Sequence, residues 1–226
     1  MASRNTKLNN AVYHTVREDV IAGRYTGGTF LTEADLCARF GVSRTPVREA
    51  LIRLNNERII QLIPNKGALV PHITIADIIE LCQLRIANDG MAAYLSCERQ
   101  TPELLAALER SVEREEQMLQ TPGIDPKKIS EEDFVFHDLI VKSCGNRRLI
   151  DTSALIQSEM DRIIHLSADE VAPRTLAISV KYHRLTVEAF HEKDCHKARR
   201  AIEDHWKEME QGYIYRSITG HLSPAL

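Results

Sequence analysis

The chain has 226 residues, 43% of them apolar and 27% charged, with a formal net charge of −3. That length allows two modest domains, each with its own core, and the balance is that of a globular protein in water. It excludes a uniformly basic nucleic-acid binder, a membrane helix of about 20 apolar residues and a disulfide scaffold. The five cysteines (Cys37, Cys82, Cys97, Cys144, Cys195) are scattered, odd in number and without CxxC spacing, which points to reduced thiols. Met1 to Asn5 has no apolar stretch behind it, so no secretion signal is visible and a cytoplasmic protein is expected. Charge is divided unevenly. Residues 1–71 hold 10 Lys and Arg against 6 Asp and Glu, a surplus of +4, which leaves −7 for the rest.

Residues 8–22 read as a helix that turns Val12, Val16, Val20 and Ile21 to a core and ends at Gly23. Tyr25 to Thr29 is a turn. A second helix spans 33–40, with Leu36 and Phe40 buried and Cys37 as a small side chain beside the Gly41 turn. A third helix follows, in which Val47, Ala50, Leu51 and Leu54 fall at i, i+3, i+4 and i+7. Thr45 is the expected N-cap and Pro46 the first helical residue. Ser43, Arg44, Thr45 and Arg48 then stand at an exposed N-terminal end, suited to phosphates and base edges. Alone, the pattern fits a solvated basic face equally well. Ile59 to Ile63, the turn Pro64-Asn65-Lys66-Gly67, and Ala68 to Val70 read as a β-hairpin with Lys66 at its tip, where Gly67 permits close approach to DNA. Three helices and a hairpin in this order favour a winged helix-turn-helix over a plain surface hairpin.

From Thr74 onward the pattern is helical only, with segments at 75–98, 102–120, 128–144, 147–166, 173–192 and 195–215. Breaks fall at 101–102, 121–123, 144–146, 171–173 and 193–194, and Asp194 is an N-cap for the last helix. The tail from Ser217 is expected to be loose. Three histidines replace apolar residues on helical stripes. They are His137 with Phe134, Val141 and Cys144, His183 with Leu176, Val180, Val187 and Phe190, and His205 with Ala198, Ile202, Met209 and Tyr213. His165, His191 and His196 lie off the stripes and are expected in solvent. One inward histidine is most often a satisfied core residue. Three from three helices of one bundle point to a shared metal ion, with Asp133 one turn before His137 as an oxygen ligand. Ser130-Glu131-Glu132-Asp133 can also be read as a helix cap. Three His and one Asp suit Zn²⁺, Ni²⁺, Mn²⁺ or Fe²⁺, and ligand softness does not choose between them; Zn²⁺ is the ion expected first.

Leu36 to Leu51, with Ile21-Ala22-Gly23 before and Asn65 to Val70 after, resembles the winged-helix domain of GntR-family transcriptional regulators. The resemblance implies a homodimer on an inverted-repeat operator in double-stranded DNA, with DNA contacts at Ser43, Arg44, Thr45, Arg48 and Gly67. Two positions depart from the pattern: Arg58 stands where Gly is usual, and Ala34 where some members carry a DNA-contacting Arg. Asp133 to His137, Gly145-Asn146, Tyr182-His183-Arg184 and His205 resemble the effector-binding (FCD) domain of the FadR subfamily, and six helices suggest its VanR-like branch. That implies a divalent metal on Asp133, His137, His183 and His205 with a small organic acid against it. Arg85, Asn146 and Arg162 are candidate effector contacts, although Arg85 can equally form a helix-surface ion pair. In the Arg85 stretch, Asn88 and Asp89 replace the usual apolar residue and Glu.

The expected architecture is mainly α. Residues 1–71 form a winged helix-turn-helix of three helices and a hairpin wing, and residues 72–226 an all-α six-helix bundle for effector binding and dimerisation. The expected function is DNA-binding regulation modulated by a small carboxylate at the metal pocket, without a membrane. The alternative is a metal-dependent enzyme using the three-His, one-Asp site, but no HExxH spacing and no clear general base accompany it.

Overall fold

The computed structural model describes residues 2–64 and 66–218, with the side chains of 2–7, 126 and 165–173 excepted. Asn65 of the wing turn, the His165 side chain and the tail beyond Ile218 lie outside the described residues. The chain divides into two compact units. Of the described residues, the first comprises those up to Thr74 with Gln157–Leu166, and the second comprises Ile75–Ile156 and 167–218.

The first unit contains α1 (Ala2–Ile21), α2 (Glu33–Phe40) and α3 (Arg44–Asn56) with strands β1 (Phe30–Leu31), β2 (Gln61–Ile63) and β3 (Gly67–Leu69). Its core joins Val12, Val16 and Val20 of α1 to Leu36 of α2, to Val47, Ala50, Leu51 and Leu54 of α3, and to Ile59, Ile60, Ala68 and Val70. Thr32 caps α2, accepting from the Asp35 amide at 3.1 Å. Gly41 ends that helix at φ 64, donating its amide to the Cys37 carbonyl. A left-handed residue with this bond is the usual way to stop a helix and reverse the chain. The sheet order is β1-β3-β2, antiparallel throughout, with Phe30 opposite Leu69 and Ile63 opposite Gly67. The hairpin is thus present, but a third strand joins it. Two residues between a glycine turn and a helix cap are too few to show alternation, so β1 leaves no mark in the sequence.

The third helix begins earlier than its sequence suggests. Ser43 is the N-cap, Thr45 is already helical, and Pro46 is the third residue of α3. The first-turn amides have no helical acceptor, so proline costs little anywhere in that turn. At the other end, Arg58 adopts φ 57. Its amide donates to the Asn55 carbonyl at 3.0 Å and that of Ile59 to the Leu54 carbonyl at 3.1 Å. This is a glycine conformation held by an arginine.

The second unit is helical: α4 (Ile75–Glu98), α5 (Pro102–Leu119), α6 (Pro126–Ser143), α7 (Arg147–Glu192) and α8 (Cys195–Ile218). Thr101, Asp125, Asn146 and Asp194 each accept an amide of the following first turn. The segments expected at 147–166 and 173–192 run on as one continuous helix, α7. Proline fixes φ at a helical value and removes one donor, so a long helix can continue past Pro173 at a cost of about 3 kcal/mol. Buried side chains include Ile78 and Cys82 of α4, Leu108 and Val112 of α5, Phe136 and Ile140 of α6, Leu176 and Phe190 of α7, and Ile202 and Trp206 of α8. Phe134 is 39% exposed. The buried face of α6 instead runs through Ile129, Phe136, His137, Ile140, Val141 and Cys144, with Phe136 stacked on His183.

A non-glycine residue in the left-handed region costs about 1–2 kcal/mol, partly offset by the larger chain entropy that glycine loses on folding. Among the described residues the largely exposed side chain of Arg58 makes one ion pair, with Glu159 at 3.8 Å, a contact of small worth. Arg58→Gly is therefore expected to raise stability by about 0.5–1 kcal/mol, read as a higher urea midpoint with unchanged slope.

Candidate functional site

Asp133 and His137 lie one turn apart on α6, His183 on α7 and His205 on α8. Their ligand atoms all lie within 4.8 Å of one another. His137 Nε2 is 3.2 Å from His183 Nε2 and 3.3 Å from His205 Nε2. The Asp133 carboxylate is 3.9 Å from His183 Nε2 and 4.0 Å from His137 Nε2. Because α6 begins at Pro126, Asp133 sits well inside the helix, and the capping reading of Ser130–Asp133 is set aside. Ser179 donates to Asp133 Oδ1 at 2.5 Å.

These atoms fit a metal ion. Ligands about 2.1 Å from one ion stand roughly 3.0–3.4 Å apart in tetrahedral or octahedral geometry, and the nitrogen spacing falls in that range. His183 and His205 have no exposed surface and His137 has 3%. Three imidazole nitrogens facing one another in a dry interior cannot all be satisfied by the single protons they carry, whereas a cation accepts a lone pair from each. Asp133 keeps partial contact with solvent. The cluster can therefore hold a divalent ion, and its mixed nitrogen and oxygen donors do not select one metal.

The surroundings set the protonation. Burial, with the charges of His183, of Arg85 and, for His137, of His205 as well, holds His137 and His205 well below the ordinary imidazole value. Burial also pulls His183 down, but the charge and hydrogen bond of Glu115 outweigh it and leave His183 raised. Glu115 is itself pushed up by burial, against the pull of His183. Burial opposes charge on both partners. The contact with Glu115 calls for a proton at His183 Nδ1, since a carboxylate only accepts, and it leaves Nε2 facing the shared point. Glu115 was not a candidate from sequence, because Glu113-Arg114-Glu115-Glu116 reads as a solvated run. Leu108, Ser111, Val112 and Glu115 nevertheless form an i, i+3, i+4, i+7 stripe, and all four are buried.

The candidate effector contacts are dispersed. Arg85 is buried rather than on the helix surface. It pairs with Asp89 at 3.0 Å and Ser153 at 3.3 Å, 5.2 Å from the Trp206 ring. Asn88 donates to Asp89 at 3.1 Å and to the Leu149 carbonyl at 3.2 Å, so both departures from the family pattern belong to one buried network. Asn146 caps α7, accepting from the amides of Arg148 and Leu149. Arg162 is buried, its pKa lowered by that burial, and it lies in the stretch of α7 grouped with the first unit. His191 is exposed and pairs with Glu109 at 2.7 Å. His196 is exposed and meets Tyr94 edge-on.

In the first unit, Ser43, Arg44, Thr45 and Arg48 are exposed at the start of α3. Arg44, Arg48, Lys66 and Gly67 line a surface cleft of about 600 Å³ between α3 and the wing, joined there by Glu33. Glu33, which sequence reasoning passed over, grips the Arg48 guanidinium at 2.8 and 3.2 Å, and its hydrogen bond raises the Arg48 pKa. Gly67 has φ 116, and a Cβ there would lie 2.4 Å from the Leu31 carbonyl oxygen. Its close approach is to β1 of its own unit, a structural need apart from any DNA contact.

Fold and sites together define a winged-helix DNA-binding unit carried with an all-helical unit that has a buried polyhistidine cluster. Residues 8–70 match the model of bacterial regulatory proteins of the gntR family, and residues 80–208 match the FCD domain. The chain belongs to the GntR family, in the FadR subfamily whose regulators carry an FCD domain, and is a DNA-binding transcriptional regulator. It is 26% identical over 204 residues to the HTH-type transcriptional repressor RspR of Escherichia coli K12, covering 90% of this chain and 88% of that one. A Streptomyces ambofaciens HTH-type regulator is 30% identical over 208 residues, covering 91% and 85%. In the solved structures, Escherichia coli McbR/YncC shares the fold with a TM-score of 0.73 at 22% identity, over 92% of this chain and 98% of that one. The RspR and Streptomyces relatives are named as transcriptional regulators, and with the two family matches they favour regulation over the metalloenzyme alternative. Among the described residues no helix is long and apolar enough to cross a membrane.

Gly67→Ala forces both a left-handed conformation and a backbone clash. It is expected to destabilise the first unit by roughly 2 kcal/mol, read as a lower melting temperature with the metal content of the second unit unchanged.

Proposed function

We propose that this regulator binds an inverted-repeat operator as a cytoplasmic homodimer and that a small organic acid, bound against a divalent metal, changes its operator affinity. The metal, Zn²⁺ first with Ni²⁺, Mn²⁺ or Fe²⁺ as alternatives, is held by Asp133, His137, His183 and His205. The observation that carries this reading is the meeting of three buried Nε2 atoms and one carboxylate at one point. Four protein ligands leave positions on an octahedral ion for an effector carboxylate. Arg85 adds positive potential beside the cluster, since its charge depresses both His137 and His205. Asn146 is committed to capping and Arg162 stands elsewhere on α7, so among the candidate effector contacts the proposal rests on Arg85.

In the first unit, Ser43, Arg44, Thr45, Arg48, Lys66 and Gly67 form the DNA contact surface. A single short recognition helix covers only half a site, which is why a dimer is required. Arg48 is the residue to test. In free protein it is occupied by Glu33, a half-buried partner, but the guanidinium itself is exposed, so a phosphate or guanine edge can displace the pairing. Arg48→Ala should weaken operator binding by roughly tenfold, as one lost guanidinium contact implies, in anisotropy titrations at fixed salt, and should leave the metal content unchanged. A parallel loss of metal would contradict the division of labour.

His183→Ala should abolish metal binding, measured by elemental analysis of purified protein. In the parent protein, a screen of small organic acids should reveal at least one that raises the melting temperature by several degrees, a linkage of about 1 kcal/mol or more. The same acid should leave His183→Ala unshifted. An equal shift in both proteins would place the acid away from the metal.

A further inference from the structure

Helix α5 contributes no ligand to the cluster, yet it is hydrogen-bonded to two of the helices that do. Both oxygens of Glu115 lie 2.9 Å from His183 Nδ1, and neither side chain has exposed surface. One turn earlier on α5, Ser111 donates to Glu132 at 2.9 Å, and Arg114 reaches the same oxygen at 2.7 Å. Glu132 immediately precedes Asp133. Among the described residues, the Nδ1 atoms of His137 and His205 have no hydrogen-bond partner. Of the three imidazoles, His183 alone is backed by a carboxylate.

A glutamate is almost never fully buried without a charge to answer. Packing α5 on α7 requires only an apolar side chain here, and a lone buried ion pair is a poor way to obtain stability. Asp133 and Glu115 together supply two negative charges, the number that a divalent cation brings with three neutral imidazoles. A carboxylate on the far nitrogen also fixes ring orientation and makes the near nitrogen a better donor.

We propose that Glu115 is a positioning residue for the metal: it holds His183 with Nε2 towards the shared point and supplies the second negative charge of the buried site. This rests on the metal reading above. His183 is then the anchoring imidazole, with His137 and His205 completing the set.

The test compares full-length parent, Glu115→Gln and Glu115→Leu. Zn²⁺ affinity is measured by chelator competition, the Co²⁺ d–d spectrum by titration, and stability by melting the metal-free proteins. Gln keeps an acceptor for Nδ1 but loses the charge. It should weaken Zn²⁺ binding about tenfold with the Co²⁺ band in place. Leu should weaken it about a hundredfold and shift the band, in line with losses of such outer partners. Zn²⁺ binding by Gln within twofold of the parent, with only the melting temperature changed, would make the pair merely structural and overturn the proposal. Should Leu fail to fold, Gln alone decides. A parent that binds neither Zn²⁺ nor Co²⁺ would instead overturn the metal reading itself, a distinct result.

Discussion

Three imidazoles shut away from water and aimed at one another are the constraint on which the second unit depends. Imidazole must be answered wherever it is buried, and three converging Nε2 atoms cannot answer one another. The helices are arranged so that a single point can. α6 places Asp133 and His137 one turn apart, α7 brings His183, and α8 brings His205. Phe136 lies flat on His183 at 3.8 Å, and Trp206 stands 5.0 Å from both His137 and His205. The packing that makes the core of the unit is thus the packing that fixes the ligands. An error in the register of any one helix would leave imidazole nitrogens in an apolar interior with no partner.

The first unit poses the opposite problem. Its functional side chains must remain free enough to leave their partners. Arg48 is held by Glu33, a partner on the neighbouring helix that remains reachable by solvent. An exposed pair of this kind is weak, so a phosphate competes with it easily. By contrast Asp19, which is buried, pairs with Arg24 and Arg39 and belongs to the framework of the unit. The same residue types serve two ends, and burial separates them. The positive surplus of residues 1–71 resides largely in the exposed arginines and lysines around α3 and the wing.

Much of this was legible in the sequence, because the underlying signals are periodic. The three inward histidines stood out since each interrupts an apolar stripe, and the recognition helix was marked by its stripe and by the flanking turn and hairpin. What escaped had no period to show. β1 is two residues long. Phe134 was assigned to the core on spacing alone, but Phe136, stacked on His183, is the phenylalanine that is buried. Glu115 was hidden by its charged neighbours, although its stripe was present. Pro173 was read as a break, yet a long helix absorbs it. Gly67 was expected from the need for close approach to DNA, and its φ of 116 and the nearness of the Leu31 carbonyl oxygen of β1 give glycine a second reason to stand there. Arg58 was noticed only as a departure from a glycine, and its φ of 57 supplies the reason that glycine is usual there.

The central claim is linkage: occupancy of the histidine cluster changes how tightly the protein holds its operator. It is tested most directly by operator affinity at fixed salt, measured with metal-free protein, with metal-loaded protein, and with metal plus the stabilising acid. The account predicts a change of roughly 5- to 150-fold between the metal-loaded protein with and without the acid. Identical operator affinity in the two, with one metal ion bound per chain and the acid shown to be bound, would contradict it.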